Sequence, residues 1–175
     1  NRLFAEDVDV NILAKKYGTP LYVYSKRTFM EQYRKIQSAF CNMNALVCYS
    51  VKACSNIAIL KAMKDEGAGF DIVSGGELFR VLKTGVDPKK IVYAGVGKTR
   101  EEIKFALKTG ILMFNVESAE ELKVINNVAK SMKTRANVAL RINPDVDAHT
   151  HAYVATGKKE SKFGIDIVVA RTLFG

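Results

Sequence analysis

The sequence lacks the long apolar run that a membrane helix requires. Nothing in its 175 residues approaches the roughly 18 consecutive apolar residues of a span, so no membrane association is expected. The opening "NRLFAEDVDV" has neither an apolar signal core nor an initiator methionine, and the chain therefore reads as trimmed at its start and cytoplasmic by default. Cysteine is scarce. Cys41, Cys48 and Cys54 are odd in number and lack metal-ligand spacing, which argues against a disulfide framework and against a metal site. They read as free thiols in a reducing compartment. A net charge of +9 raises the question of nucleic acid, yet a continuous basic stripe with interleaved aromatics is missing. Lys61, Lys64, Lys83, Lys104, Lys108, Lys123 and Lys130 fall instead on helical segments and read as solvated faces, so no nucleic-acid partner is expected. A general attraction for anionic small molecules remains. The phosphate-binding loop suggested by "AGVGKT" also fails, because its pattern needs glycine where Val92 stands. The segment reads as a tight turn after a strand, with Thr99 capping the next helix.

What is present is a repeating order. After a lead segment (1–24) and a helix, "KRTFMEQYRKIQSAF", strand-like runs alternate with helical ones. The strands are "ALVCYSVK", "GFDIVS", "KIVYAG", "ILMFNVE" and "NVALRIN". The helices between them stop at Gly67, Gly85 and Gly110, where left-handed C-terminal caps are expected. Two of them open on a capping box, Thr99 with Glu102 and Ser118 with Glu121. Strands alternating with helices every 20 to 25 residues or so predict βαβ units and a parallel sheet, either doubly wound or a (β/α)8 barrel.

The strands favour the barrel. In "ALVCYSVK", Val47, Tyr49 and Val51 suit a helix layer, while Leu46, Cys48, Ser50 and Lys52 suit a barrel interior. Lys52 then stands at the C-terminal rim, as do Asp71, Asn115, Glu117, Arg141 and Asn143 on their own strands, and that rim is where barrel active sites gather. Lys52 has no acidic neighbour in the sequence. A desolvated lysine amine can act as a free nucleophile that forms a Schiff base with a carbonyl compound or with pyridoxal phosphate.

The motifs "YSVKACSN", "GFDIVSGGEL", "AGVGKT", "FNVES", "LRINPDVDAHTHAYVATG" and "SKFG", in this order, closely resemble the diaminopimelate decarboxylases. These are pyridoxal-phosphate enzymes of the alanine-racemase-like barrel class. The first two motifs occur in looser form in ornithine and arginine decarboxylases, whereas "THxYxxTGxxxSKFG" points more narrowly to diaminopimelate. The resemblance implies that Lys52 carries pyridoxal phosphate, that Asp71, Glu77 and Arg141 belong to its binding site, and that His151 binds substrate or orders a loop. It implies decarboxylation of meso-diaminopimelate to L-lysine by an enzyme that is a homodimer at full length.

The family's "HIGSQ" segment, its phosphate-binding glycines and the glutamate that meets the pyridine nitrogen do not occur in the chain. The chain is therefore expected to be the N-terminal portion of a longer enzyme and inactive alone. About five βα units of the barrel fall in residues 25–175, with residues 1–24 packing on a β-rich domain that the chain does not include. Three alternatives stand beside this reading. One is another decarboxylase of the class, acting on arginine, ornithine or carboxynorspermidine. A second is a catalytically silent homologue that binds pyridoxal phosphate. The third is a nucleotide- or RNA-binding α/β domain.

Overall fold

The structure is a computed structural model that describes residues 2–143 and 164–174. The chain divides into two compact units, Asn1–Val47 and Cys48–Gly175. In the first, a two-residue antiparallel pair, β1 (Phe4–Ala5) with β2 (Val8–Asp9), leads into α1 (Val10–Tyr17). Asp9 caps α1 by accepting from Asn11 N–H. Ser25 caps α2 (Lys26–Ala39), which buries Met30 and Tyr33. Glu6, in the β1–β2 turn, accepts from the Ser25 hydroxyl and from Arg27 N–H, each at 2.8 Å, and so ties the turn to the start of α2.

The second unit is a parallel sheet with a helix in every crossover. Its strands are β3 (Cys48–Ser50), β4 (Gly69–Ile72), β5 (Ile91–Tyr93), β6 (Met113–Val116) and β7 (Val138–Leu140). Between them run α3 (Ile57–Asp65), α4 (Gly75–Leu82), α5 (Arg100–Thr109) and α6 (Ala119–Ser131). The strands pair in sequence order, β3-β4-β5-β6-β7, which is the order of a (β/α) barrel and not that of a sheet wound in two directions from its middle. Further on, β8 (Ile142–Asn143) pairs in parallel with β9 (Ile165–Asp166), and α7 (Ile167–Phe174) follows. The five strands are those the sequence predicts, but shorter. "NVALRIN" is divided between β7 and β8 at Arg141, whose N–H still donates to Val116 C=O at 2.9 Å.

Alternation places the two faces. Phe70, Ile72, Ile91, Tyr93, Phe114 and Val116 are at most 1% exposed and lie under the helices, which contribute Leu60, Leu78, Val81, Ile103 and Ile125. Tyr93 and Phe114, in register on adjacent strands, stack at 5.9 Å. The opposite face carries Cys48, Ser50, Asp71, Met113 and Asn115, all half-buried. Gly67, Gly85 and Gly110 adopt positive φ at the helix ends, as their positions imply.

Candidate active site

The C-terminal ends of β3 and β4 bring the first group together. "ALVCYSVK" is extended only through Ser50, and Val51–Ala53 forms a 3-10 turn that swings the chain toward α3. Val51 points inward with no exposure, which leaves Lys52 on the outside of the turn, exposed. Lys52 thus sits two residues past the strand rather than on it. Among the described residues its amine has no hydrogen-bond or ion-pair partner. In the register of β3 and β4, Ser50 lies beside Asp71, and its hydroxyl donates to Asp71 Oδ2 at 3.3 Å. Asp71 Oδ1 is buried and, among the described residues, has no hydrogen-bond partner. Burial pushes the Asp71 carboxyl above its ordinary value; the Ser50 hydroxyl and the Lys52 charge oppose that rise, and Glu117 adds to it.

A second group occupies the ends of β6 and β7. Glu117, the residue after β6, is 4% exposed and accepts from Gly95 N–H at 3.0 Å. Arg141, just past β7, places Nη1 at 3.3 and 3.2 Å from the two Glu117 oxygens. Glu117 acts on Asp71 as a repelling charge, behind burial, the Ser50 hydroxyl and the Lys52 charge.

Glu77 is engaged locally. It sits in the first turn of α4, and its Oε2 accepts from Val73 N–H at 2.7 Å while its own N–H donates to Ser74 Oγ. This is an N-terminal cap displaced by one residue, and it holds the turn that follows the Asp71 strand. Glu102 of α5 reaches the same turn, with Oε1 accepting from Gly75 N–H at 2.7 Å and Oε2 accepting from Thr99 N–H and from the Thr99 hydroxyl. Burial pushes the Glu102 carboxyl up, but the Gly75 and Thr99 N–H groups and the Thr99 hydroxyl outweigh it and hold the carboxyl below its ordinary value. Carboxylates therefore already cover this glycine turn, which is not an open phosphate cradle. His151 lies outside the described residues.

The Thr99–Glu102 box forms as predicted. The Ser118–Glu121 box forms only in half. Ser118 Oγ accepts from Glu121 N–H, but Glu121 Oε2 accepts from Glu117 N–H instead of Ser118 N–H, because its other oxygen is drawn to the Lys98 ammonium at 2.7 Å. Lys98 is the residue that motif reading passes over. Its side chain is completely buried, and the only sequence signal for that is the apolar "AGV" before it.

The residues fit pyridoxal phosphate. An unpaired primary amine is the group that condenses with an aldehyde, and the orphaned Asp71 oxygen on the adjacent strand is an acceptor still to be satisfied. The family model described as "Pyridoxal-dependent decarboxylase, pyridoxal binding domain" matches residues 26–174. Diaminopimelate decarboxylase of Haemophilus influenzae is 53% identical over 174 residues, covering 99% of this chain and 42% of that protein. The Pseudomonas aeruginosa enzyme is 51% identical over 172 residues, with 98% and 41% covered. The chain thus spans about two fifths of the length of the curated relatives it matches. Among solved structures, diaminopimelate decarboxylase from Helicobacter pylori complexed with L-lysine superposes with a TM-score of 0.90 at 42% identity, over 94% of this chain and 42% of that one. Arginine decarboxylase of Paramecium bursaria Chlorella virus gives 0.76 at 27% identity, over 94% and 42%.

Proposed function

Because the chain belongs to the pyridoxal-dependent decarboxylases, its residues 26–174 matching their pyridoxal-binding domain, we propose that it is part of an enzyme that decarboxylates meso-diaminopimelate to L-lysine. The observation that carries this reading is that the exposed Lys52 just past β3 and the half-buried Asp71 of β4, whose Oδ1 has no partner among the described residues, stand at the ends of adjacent strands. The identity of about one half to named diaminopimelate decarboxylases supports the substrate.

Lys52 would hold the cofactor through Nζ, and its place in the Val51–Ala53 turn after β3 leaves that amine exposed. Asp71, with Oδ1 still to be satisfied, belongs with Lys52 to the residues that would bind the cofactor. Arg141, oriented by Glu117, contributes positive charge to the site. Glu77 keeps the Val73 turn, and with it the end of β4, in place. When bound, pyridoxal phosphate supplies the electron sink for the pair released as the α-carbon loses its carboxylate.

The full-length protein is a cytoplasmic homodimer in this reading. Residues 1–24 pack on its β-rich domain, and His151 binds substrate or orders its loop. The test is a substrate panel on the full-length enzyme loaded with pyridoxal phosphate. Release of carbon dioxide and L-lysine from meso-diaminopimelate is the expected result. Preferential turnover of L-arginine, L-ornithine or carboxynorspermidine would replace the substrate assignment, and cofactor binding without turnover of any of them would overturn the enzymatic one.

A further inference from the structure

The Lys98 side chain is 0% exposed, and a buried ammonium is tolerated only when each of its donors is met. All three are met. Nζ donates to Gly95 C=O at 2.7 Å, to Asn115 C=O at 2.9 Å and to Glu121 Oε1 at 2.7 Å, and it lies 5.5 Å from the centre of the Tyr93 ring. Tyr93 ends β5 and Gly95 follows it, Asn115 lies in β6, and Glu121 stands in the first turn of α6. The other oxygen of Glu121 accepts from Glu117 N–H at 3.0 Å, and Gly95 N–H donates to Glu117 Oε1, also at 3.0 Å. The lysine therefore grips Gly95 by its carbonyl while Glu117 grips the same residue by its amide. Beyond Glu117 stands Arg141.

A buried ion pair is weak evidence of a stabilising role, since an apolar side chain of the same volume often serves a fold as well. Here the pair ends on a rim carboxylate. We infer that Lys98 is a positioning residue, which fixes the Glu117 carboxylate through Gly95 and Glu121, and through Glu117 fixes the Arg141 guanidinium at the cofactor site. The inference rests on the reading of Lys52, Asp71 and Arg141 as that site.

The test is a double-mutant cycle on the full-length apoenzyme, read as pyridoxal phosphate affinity by titration of visible absorbance, with the thermal midpoint recorded for each protein. Lys98→Met and Arg141→Ala should each weaken cofactor binding by about tenfold, the loss expected when a charged hydrogen bond is misplaced. The double variant should bind no more weakly than Arg141→Ala alone, because the lysine acts through the arginine. If Lys98→Met lowers the thermal midpoint but leaves affinity unchanged, or weakens it by the same factor in both backgrounds, the positioning role is refuted while the site stands. If Arg141→Ala leaves affinity unchanged, the placement of Arg141 at the cofactor fails first, and the inference falls with it. Should Lys98→Met not fold, Glu121→Gln, which removes the charge paired with Lys98, carries the same cycle with the same outcomes.

Discussion

Replacing Gly75 by alanine tests whether the turn below Asp71 is held by Glu102. A Cβ on Gly75 would lie 2.9 Å from Glu102 Cγ and 3.3 Å from its Oε1, closer than carbon contacts allow. The glutamate cannot simply swing its tip away, since its Cγ is the obstructed atom and its two oxygens bind Gly75 N–H, Thr99 N–H and the Thr99 hydroxyl at 2.7 to 2.9 Å. Loss of the charged bond to Gly75 costs about 1.5–3 kcal/mol. Partial loss of the α5 cap adds about 1 kcal/mol, and the better helix propensity of alanine returns up to about 1 kcal/mol. Gly75→Ala should therefore destabilise by about 2 kcal/mol, the balance of these three magnitudes. The assay is urea unfolding of the full-length apoenzyme for four proteins: the parent, Gly75→Ala, Glu102→Ala and the double variant. In the Glu102→Ala background the obstruction is gone, and Gly75→Ala should be neutral or stabilising. An equal cost in both backgrounds would refute the reasoning.

Two other outcomes follow from the same sheet. Because burial raises the Asp71 carboxyl, the folded protein binds more protons than the unfolded chain between the ordinary carboxylate value and the raised one, so this group's contribution to stability falls as pH climbs through that interval. Asp71→Asn removes the fall: the apoenzyme should gain thermal midpoint over the parent at neutral pH but not at low pH, while turnover drops. A gain that is the same at both pH values would contradict the assigned shift. Phe114, 1% exposed and stacked on Tyr93, should cost about 3–5 kcal/mol when replaced by alanine. A loss under about 1 kcal/mol by urea unfolding would mean that the sheet–helix layer is not packed as described.

Much of the second unit was legible because its signals are local. Strand periodicity, the glycines at 67, 85 and 110, and the Thr99–Glu102 box are each decided by neighbours within a few residues. Lys52 and Asp71 were legible as rim residues for the same reason, although the strand ends two residues short of the lysine. What could not be read is convergence across the sheet. That Lys98 is buried depends on the register of β5 against β6, which brings Asn115 C=O within 2.9 Å, and on α6 presenting Glu121. A lysine in a turn motif reads as exposed until those partners are in place. Glu77 and Glu121 cap one residue earlier than the sequence pattern suggests, a choice set by the strand ends and the lysine and not by the helices alone.

The measurement that bears most directly on the central claim is borohydride reduction of the full-length holoenzyme followed by peptide mapping, which fixes the cofactor to whichever lysine carries it. The exposed and unpaired Lys52 should take the pyridoxyl label, and Lys52→Ala should lose both the label and the visible absorption of the bound cofactor while keeping its fold. Lys98, completely buried with all three donors engaged, should take none. Label on Lys98 or on any lysine other than Lys52 would contradict the account.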